Sequence, residues 1–318
     1  MHIPEGMLSI PVTALTGLIS AATVAYAVSW VRQHMDERQV VLMAVSGALI
    51  FALQMLNFPI QAGTSGHFAG GALAGILLGP WPAVLVLTAV LGVQAFLFAD
   101  GGVIALGANL LNLAVVAPLL GYVVYRGFLR WSDRRGAHLC GAFLGAWLST
   151  LLAALAVAAE LGLSGTAHLG IAALAMGTTH ALIGIGEGLL TAALVAYLYA
   201  VRPDLLRGEA RSSEGRPIRG VTVTLGALAI LAAGLSFMAS SAPDGLEWVY
   251  FEQGIGDAEA VAQAPRLLGQ GGPLANYQVA GLDNEALGSA VAGLIGLTIV
   301  GALLAAVAIR RRKQTLAS

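Results

Sequence analysis

The sequence predicts an all-α integral membrane protein: a seven-helix bundle over residues 1–200, a linker over 201–219, and a two-helix module over 220–318 with a loop at 240–286. Three observations predict it. Of 318 residues, 58% are hydrophobic and only 10% charged, with a mean hydropathy of +0.82, as expected when most helices face lipid. Apolar runs of about 20 residues, long enough to cross a bilayer as helices, recur along the chain. The basic residues cluster on one side of the membrane that those runs define.

The runs lie at 10–31, 39–56, 66–80, 82–99, 106–126, 138–160 and 169–200, followed by 220–239 and 287–309. The third is short and rich in Gly, so it is read as broken or partly spanning. From an outside N-terminus, the cytoplasmic loops are 32–38, the turn Gly79-Pro80-Trp81-Pro82, 127–137 and 201–219, with the tail 310–318. Of the 16 lysines and arginines, every one but Arg266 then faces the cytoplasm. The positive-inside rule fixes the orientation accordingly. The first run reads as a retained anchor, not a cleaved signal peptide, because Glu5 precedes it and the basic residues follow it. Met1 is expected to be kept, since His2 is too bulky a second residue for ready methionine removal.

That places Met1-His2-Ile3-Pro4-Glu5-Gly6 outside. The α-amine of Met1, the amide of His2 and its imidazole can close a five- and a six-membered chelate ring on one cation. The amide binds only after losing its proton, so binding strengthens as pH rises. Three nitrogens in a plane with one open corner suit Ni(II), Cu(II) or low-spin Co(II), whereas Zn(II) prefers a tetrahedron. Six residues alone leave open that Met1 is only a start residue and His2 incidental.

Between the second and third runs, Pro59, Gly63 and Gly66 predict a re-entrant outside loop with a helix starting near His67. Gly66, Gly70, Ala74 and Gly71, Gly75, Gly79 would give that helix two small-residue stripes for close packing. His67 is then a functional candidate on the side of the N-terminus, or a structural histidine bonded to a carbonyl. His34 reads as solvated, His138 as opening the sixth run at the inner face, and His168 as lying in an external loop. His180 and Glu187, seven apart on one helical face, allow a metal or proton site or a polar tie between helices; Gly184 and Gly188 on that face favour packing. Gln94 and Asp100 allow a second shell around a metal or a polar contact between helices.

Cys140 is the only cysteine and Lys313 the only lysine. The first excludes a disulfide framework and a cysteine-based zinc site. The second stands in Arg312-Lys313-Gln314, so the chain carries no Walker-A loop and any ATP-driven step needs another subunit. The linker 201–219 contains five arginines together with Ser212 and Ser213. In the loop 240–286, Asp244, Glu247, Glu252, Asp257, Glu259, Asp283 and Glu285 face Arg266 alone. Such a patch either raises the local concentration of divalent cations or marks a translocated, solvated loop.

Met1-His2-Ile3-Pro4-Glu5-Gly6, Gly63-Thr64-Ser65-Gly66-His67 and Phe98-Ala99-Asp100-Gly101-Gly102 together resemble the M component of the nickel/cobalt energy-coupling-factor (ECF) transporters over roughly residues 1–200. The stretch His180 to Gly188 is similar to the last M-type helix. Ser240 to Glu247, Ser-Ser-Ala-Pro-Asp-Gly-Leu-Glu, resembles the small N component, here fused to M. The resemblance implies a square-planar metal site formed by Met1, His2 and His67; Ser65, Gln94 and Asp100 are candidates to hydrogen-bond those ligands. It implies a non-enzymatic subunit that captures Ni(II) or Co(II) outside a bacterial or archaeal cell membrane. An integral T component and two cytoplasmic ABC-type ATPases would supply the energy. Fusion of M to N is more like the nickel branch than the cobalt one.

A different class is an intramembrane serine protease, since Gly63-Thr64-Ser65-Gly66 matches the Gly-x-Ser-Gly of rhomboid-like enzymes and His180 offers a base. That reading leaves Met1-His2 unexplained. No His-Glu-x-x-His occurs, which argues against a zinc metalloprotease.

Overall fold

The computed structural model describes residues 1–60, 63–207, 219–240, 242–265, 267 and 272–315. Most of the linker at 201–219, with Arg211, Ser212, Ser213 and Arg216, lies outside the described residues, as do Gln61, Ala62, Arg266 and the side chains of Arg310 to Lys313. Among the described residues seven helices are long and apolar enough to cross a membrane. These are α1 (Ile10–His34), α2 (Glu37–Gln54), α4 (Pro80–Phe98), α5 (Leu106–Trp131), α6 (Arg135–Ser164), α7 (Leu169–Val201) and the first part of α9 (Glu285–Thr315). The chain is a multi-pass membrane protein. Shorter helices include α3 (Gly71–Leu78) and α8 (Arg219–Gly234).

Local chemistry sets the element ends. Asp36 caps α2 through a reciprocal box with Gln39, which satisfies two end groups at once. Pro80 starts α4, where a missing N–H costs nothing. α6 and α7 form an antiparallel hairpin. Within it, Gly184 packs on Trp147 and Gly188 on Phe143, so the small residues of that α7 face bring the backbones together. α8 and α9 both pack against α2, joining the C-terminal region to the bundle.

The third apolar run departs from expectation. β1 (Asn57–Pro59) pairs antiparallel with β2 (Ser65–His67) in the register Asn57↔His67. His67 therefore stands on a strand and not at a helix start; α3 begins only at Gly71. The reason is Gly70, whose φ of 72° is left-handed and cannot continue a helix backwards. Gly66 and Gly70 thus fall off the expected stripe, while Gly71 and Gly75 keep theirs. A Cβ on Gly75 would stand 2.4 Å from the Pro118 carbonyl oxygen, so α3 lies directly on α5. At about 1.5 Å per residue α3 is roughly 12 Å long and does not span.

Non-helical backbone at such a position persists only if its polar groups find partners in the protein. They do. Glu187 accepts the amides of Ala69 and Gly70 at 2.9 Å each, and Gln54 donates to the Ala69 carbonyl at 2.7 Å. Ser65 N–H donates to the Pro243 carbonyl at 2.9 Å, and Ser240 N–H to that of Asn57 at 2.8 Å. Glu187 is thus a polar tie, but to the loop before α3 and not between helices. The eighth run also differs, since α8 stops at Gly234 and is followed by a 3-10 turn at Ser236–Met238.

Candidate metal centre

The first residues are inserted into the body of the protein. Met1 and His2 are 6% and 7% exposed, and Ile3 and Met7 are fully buried. Asn109 on α5 clamps Ile3 from both sides, accepting its N–H at 2.8 Å and donating to its carbonyl at 3.0 Å. Gly102 N–H reaches the same carbonyl at 2.8 Å. Glu5 accepts the amides of Val103, Ile104 and Leu267, and Thr166 donates to the Met7 carbonyl. The approach is close. A Cβ on Gly102 would fall 2.6 Å from the Glu5 main chain, so only glycine fits there.

This strap brings the Met1 ammonium onto the Asp244 carboxylate. The Asp244 oxygen that meets the amine, Oδ2, is also 3.9 Å from His67 Nδ1. Its other oxygen accepts the amides of Leu246 and Glu247 at 2.9 Å each, an N-cap that fixes the carboxylate in place. The rings of His2 and His67 are parallel within 4°, with centroids 5.0 Å apart. His2 Nδ1, the nitrogen that closes a six-membered chelate ring, is 2.9 Å from Asp100 Oδ1, while His2 Nε2 is buried without a hydrogen-bond partner among the described residues. His2, His67, Asp100 and Asp244 line an open cleft of about 280 Å³.

Asp100 is aimed by a kink in α4. The last turn of that helix is a π-turn over Gln94–Phe98, and Ala99 follows with φ 55°, a feature that recurs at functional sites. Tyr277 donates to Asp100 Oδ2 at 2.5 Å and accepts from Gln94 Nε2 at 3.1 Å. Its ring packs on Phe98 at 4.7 Å. The Gln94 side chain thus reaches Asp100 through Tyr277, while its main-chain carbonyl accepts the Asp100 N–H at 3.1 Å.

Burial opposes ionisation of Asp244, but the Met1 ammonium outweighs it, with His67 and hydrogen bonds behind it, and holds the carboxyl below its usual range. Burial likewise opposes ionisation of Asp100, and His2 overrides it. His67 is pushed below the ordinary imidazole value by burial first, then by the Met1 ammonium and His2. Burial and the Asp100 charge push Tyr277 well up. A neutral imidazole and two carboxylates are what a cation needs beside a nitrogen chelate.

Among the described residues no three His, Cys, Asp or Glu side chains form a ready ligand cluster; what gathers here is main-chain nitrogen with imidazole. The structure brings together Met1, His2, His67, Asp100 and, one step removed, Gln94. Ser65 instead spends its hydroxyl on the Ala242 and Pro243 carbonyls, at 2.7 and 3.3 Å, and touches no candidate ligand by hydrogen bond. His180 Nδ1 faces the Met176 carbonyl at 2.9 Å, and its Nε2 has no hydrogen-bond partner among the described residues. Ser65 and His180 therefore make no nucleophile–base pair. His34 is exposed and bonded to Trp30, His168 is exposed, and His138 is buried between Tyr125 and Asp133. Sequence reasoning missed Asp244 as an individual residue, and missed Tyr277 and Asn109 altogether. Asp244 had a signal, the break from apolar to polar at Pro243-Asp244-Gly245, but nothing local points it at residue 1.

A helical membrane protein whose own N-terminal amine is held in a cleft of imidazoles and carboxylates belongs with the metal-handling membrane proteins. The comparisons are specific. Residues 2–205 match the CbiM family, described as the cobalt uptake substrate-specific transmembrane region, and residues 219–313 match the PDGLE domain. The chain belongs to the CbiM family and carries a PDGLE domain behind it. It is 39% identical over 311 residues to the "Putative fused nickel transport protein NikMN" of Archaeoglobus fulgidus, covering 95% of this chain and 96% of that one. It is 34% identical to the fused nickel transport protein NikMN of Rhodobacter capsulatus, covering 94% and 95%. A crystal structure of a truncated transition metal transporter superposes with a TM-score of 0.58 at 36% identity, covering 63% of this chain and 99% of that one.

Proposed function

We propose that this protein is the substrate-binding membrane subunit of an importer for Ni(II) or Co(II). The metal is captured in a square-planar, all-nitrogen site made by the Met1 amine, the His2 amide and imidazole, and the His67 imidazole. The observation that carries this reading is the burial of Met1 and His2 beside His67, with the amine and that imidazole sharing one carboxylate oxygen. The relatives carry the name of nickel transport proteins, and the family description names cobalt uptake.

Charge bookkeeping supports the exchange. Without metal, one ammonium faces the carboxylates of Asp244 and Asp100. With a divalent cation, the amine is neutral and the amide has lost its proton, so the cation replaces two protons and the net charge of the cleft is unchanged. No buried charge is created, and creating one is the costly step in a low-dielectric site. Residues 1–200 form the capturing domain and 220–318 the module that supplies Asp244 and Tyr277, joined by the linker 201–219. The N-terminus faces outside and the C-terminus the cytoplasm of a bacterial or archaeal cell, as the basic residues require. An integral T component and two ABC-type ATPases deliver the energy, since the only lysine cannot serve a Walker-A loop.

The test is equilibrium binding of Ni(II) and Co(II) to the purified chain with one proline inserted between Met1 and His2, beside H2A and H67A. Proline separates the Met1 amine from the His2 amide and has no N–H to lose, so the five-membered ring cannot close across it, whereas an inserted glycine would supply a further ionisable amide and complete a four-nitrogen chelate. Loss of binding in all three is expected; full affinity in the insertion variant overturns the site.

A further inference from the structure

His180 lies on α7, is 1% exposed, and is used by nothing described so far. Its Nδ1 stands 2.9 Å from the Met176 carbonyl oxygen. A carbonyl can only accept, so Nδ1 carries the hydrogen and Nε2 the lone pair. That Nε2 is buried and has no hydrogen-bond partner among the described residues. An unsatisfied acceptor in a membrane-spanning helix is expensive and marks a functional position.

Its surroundings say which function. The imidazole lines a void of about 10 Å³ together with Met1, His67, Thr150 and Gly245. A Cβ on Gly245 would stand 3.0 Å from Nε2, so the glycine after Asp244 leaves this nitrogen uncovered by a side chain. A free imidazole lone pair therefore sits behind the amine and the imidazole assigned to capture. Its tautomer is already fixed by the Met176 carbonyl, the outer-shell contact that ligating histidines use.

We propose that His180 Nε2 is a second metal-accepting nitrogen, which takes the divalent cation as it leaves Met1, His2 and His67 on its way into the bundle. The inference rests on the capture site proposed above. A transported ion has to be bound tightly enough to enter and loosely enough to leave, which several sites in series achieve better than one. One imidazole with a hydroxyl nearby is a poorer site than four planar nitrogens, so His180 holds little metal at equilibrium. It acts by offering the next donor before the last is lost.

The test compares H180Q and H180C with the unaltered chain in two assays. In equilibrium Ni(II) binding to the purified full chain, both variants are expected within about twofold, as for energetically independent sites. In uptake of radioactive Ni(II) or Co(II) by cells carrying the complete transport system, H180Q is expected to fall about tenfold or more, the scale of losing a metal-site contact. H180C, which restores a ligating atom, is expected to recover part of that loss. Unchanged uptake in H180Q overturns the proposal. So does loss of equilibrium binding in H180Q, which would put His180 in the capture set, and so does an H180C chain as inactive as H180Q. If the unaltered chain binds neither metal, the capture reading itself fails, an outcome separate from all of these.

Discussion

The Met1 ammonium and the Asp244 carboxylate meet across 243 residues of sequence. Both are largely buried, and the same carboxylate oxygen lies 3.9 Å from His67. The PDGLE domain therefore reaches the N-terminal cleft through the Asp of its Pro243-Asp244-Gly245-Leu246-Glu247 stretch, and under the proposed capture this ion pair is what the metal replaces.

The first prediction concerns that pair. In D244A the buried ammonium loses its counter-charge, and removing one partner of a buried pair costs about 3 kcal/mol or more. The loss should be large in the metal-free protein and smaller with Ni(II) bound, because the ammonium no longer exists once the amine coordinates. Thermal unfolding in detergent with and without Ni(II) measures both. An equal loss in the two states would contradict the exchange.

Proton release gives a second check. Capture replaces the ammonium proton and the amide proton, so about two protons should be released per cation. Calorimetry in buffers of different ionisation enthalpy counts them. A count near zero would exclude amide coordination.

A third follows from Asn109, which satisfies both main-chain groups of Ile3. In N109L the Ile3 carbonyl still accepts from Gly102, but its buried N–H loses its partner, at about 1–3 kcal/mol. Because Ile3 positions the two residues before it, Ni(II) affinity should fall about tenfold or more, as when a supporting contact at a metal site is lost. Titration of the purified variant tests this, and unchanged affinity would show that the strap is held without Asn109.

The fourth concerns pH. In the folded protein His67 titrates below the ordinary imidazole value of about 6.5, first because it is buried. Below 6.5 the unfolded chain then binds a proton that the folded chain refuses, so stability falls with falling pH. The His67 contribution is complete above pH 6.5 and is lost as the pH drops towards its folded value. Metal-free H67Q should therefore show a flatter acid-side decline in unfolding temperature than the unaltered protein. Parallel curves would contradict it.

Tyr277 supplies the last. Y277F removes the hydroxyl that donates to Asp100 while keeping the ring against Phe98. Asp100 is then free to swing from His2. Ni(II) affinity should weaken about tenfold with little change in unfolding temperature, whereas Y277A should lower both.

Much of this was legible in the chain itself. Composition and apolar run length determined a multi-pass helical membrane protein, because crossing lipid is a local requirement that each segment meets alone. Donor chemistry at Met1-His2 and the Pro/Gly break before His67 marked the candidate ligands for the same reason: chelate rings and turns are properties of neighbouring residues. Tertiary structure decided the rest. It set His67 on a strand, because Gly70 turns left-handed and Glu187, from α7, satisfies the exposed amides. It chose Asp244 from the acidic residues of the C-terminal loop, and Asn109 and Tyr277 from residues that no motif marks. Contacts spanning 106, 177 and 243 residues leave no periodicity or spacing in the sequence; they exist only once the packed bundle has closed the distance.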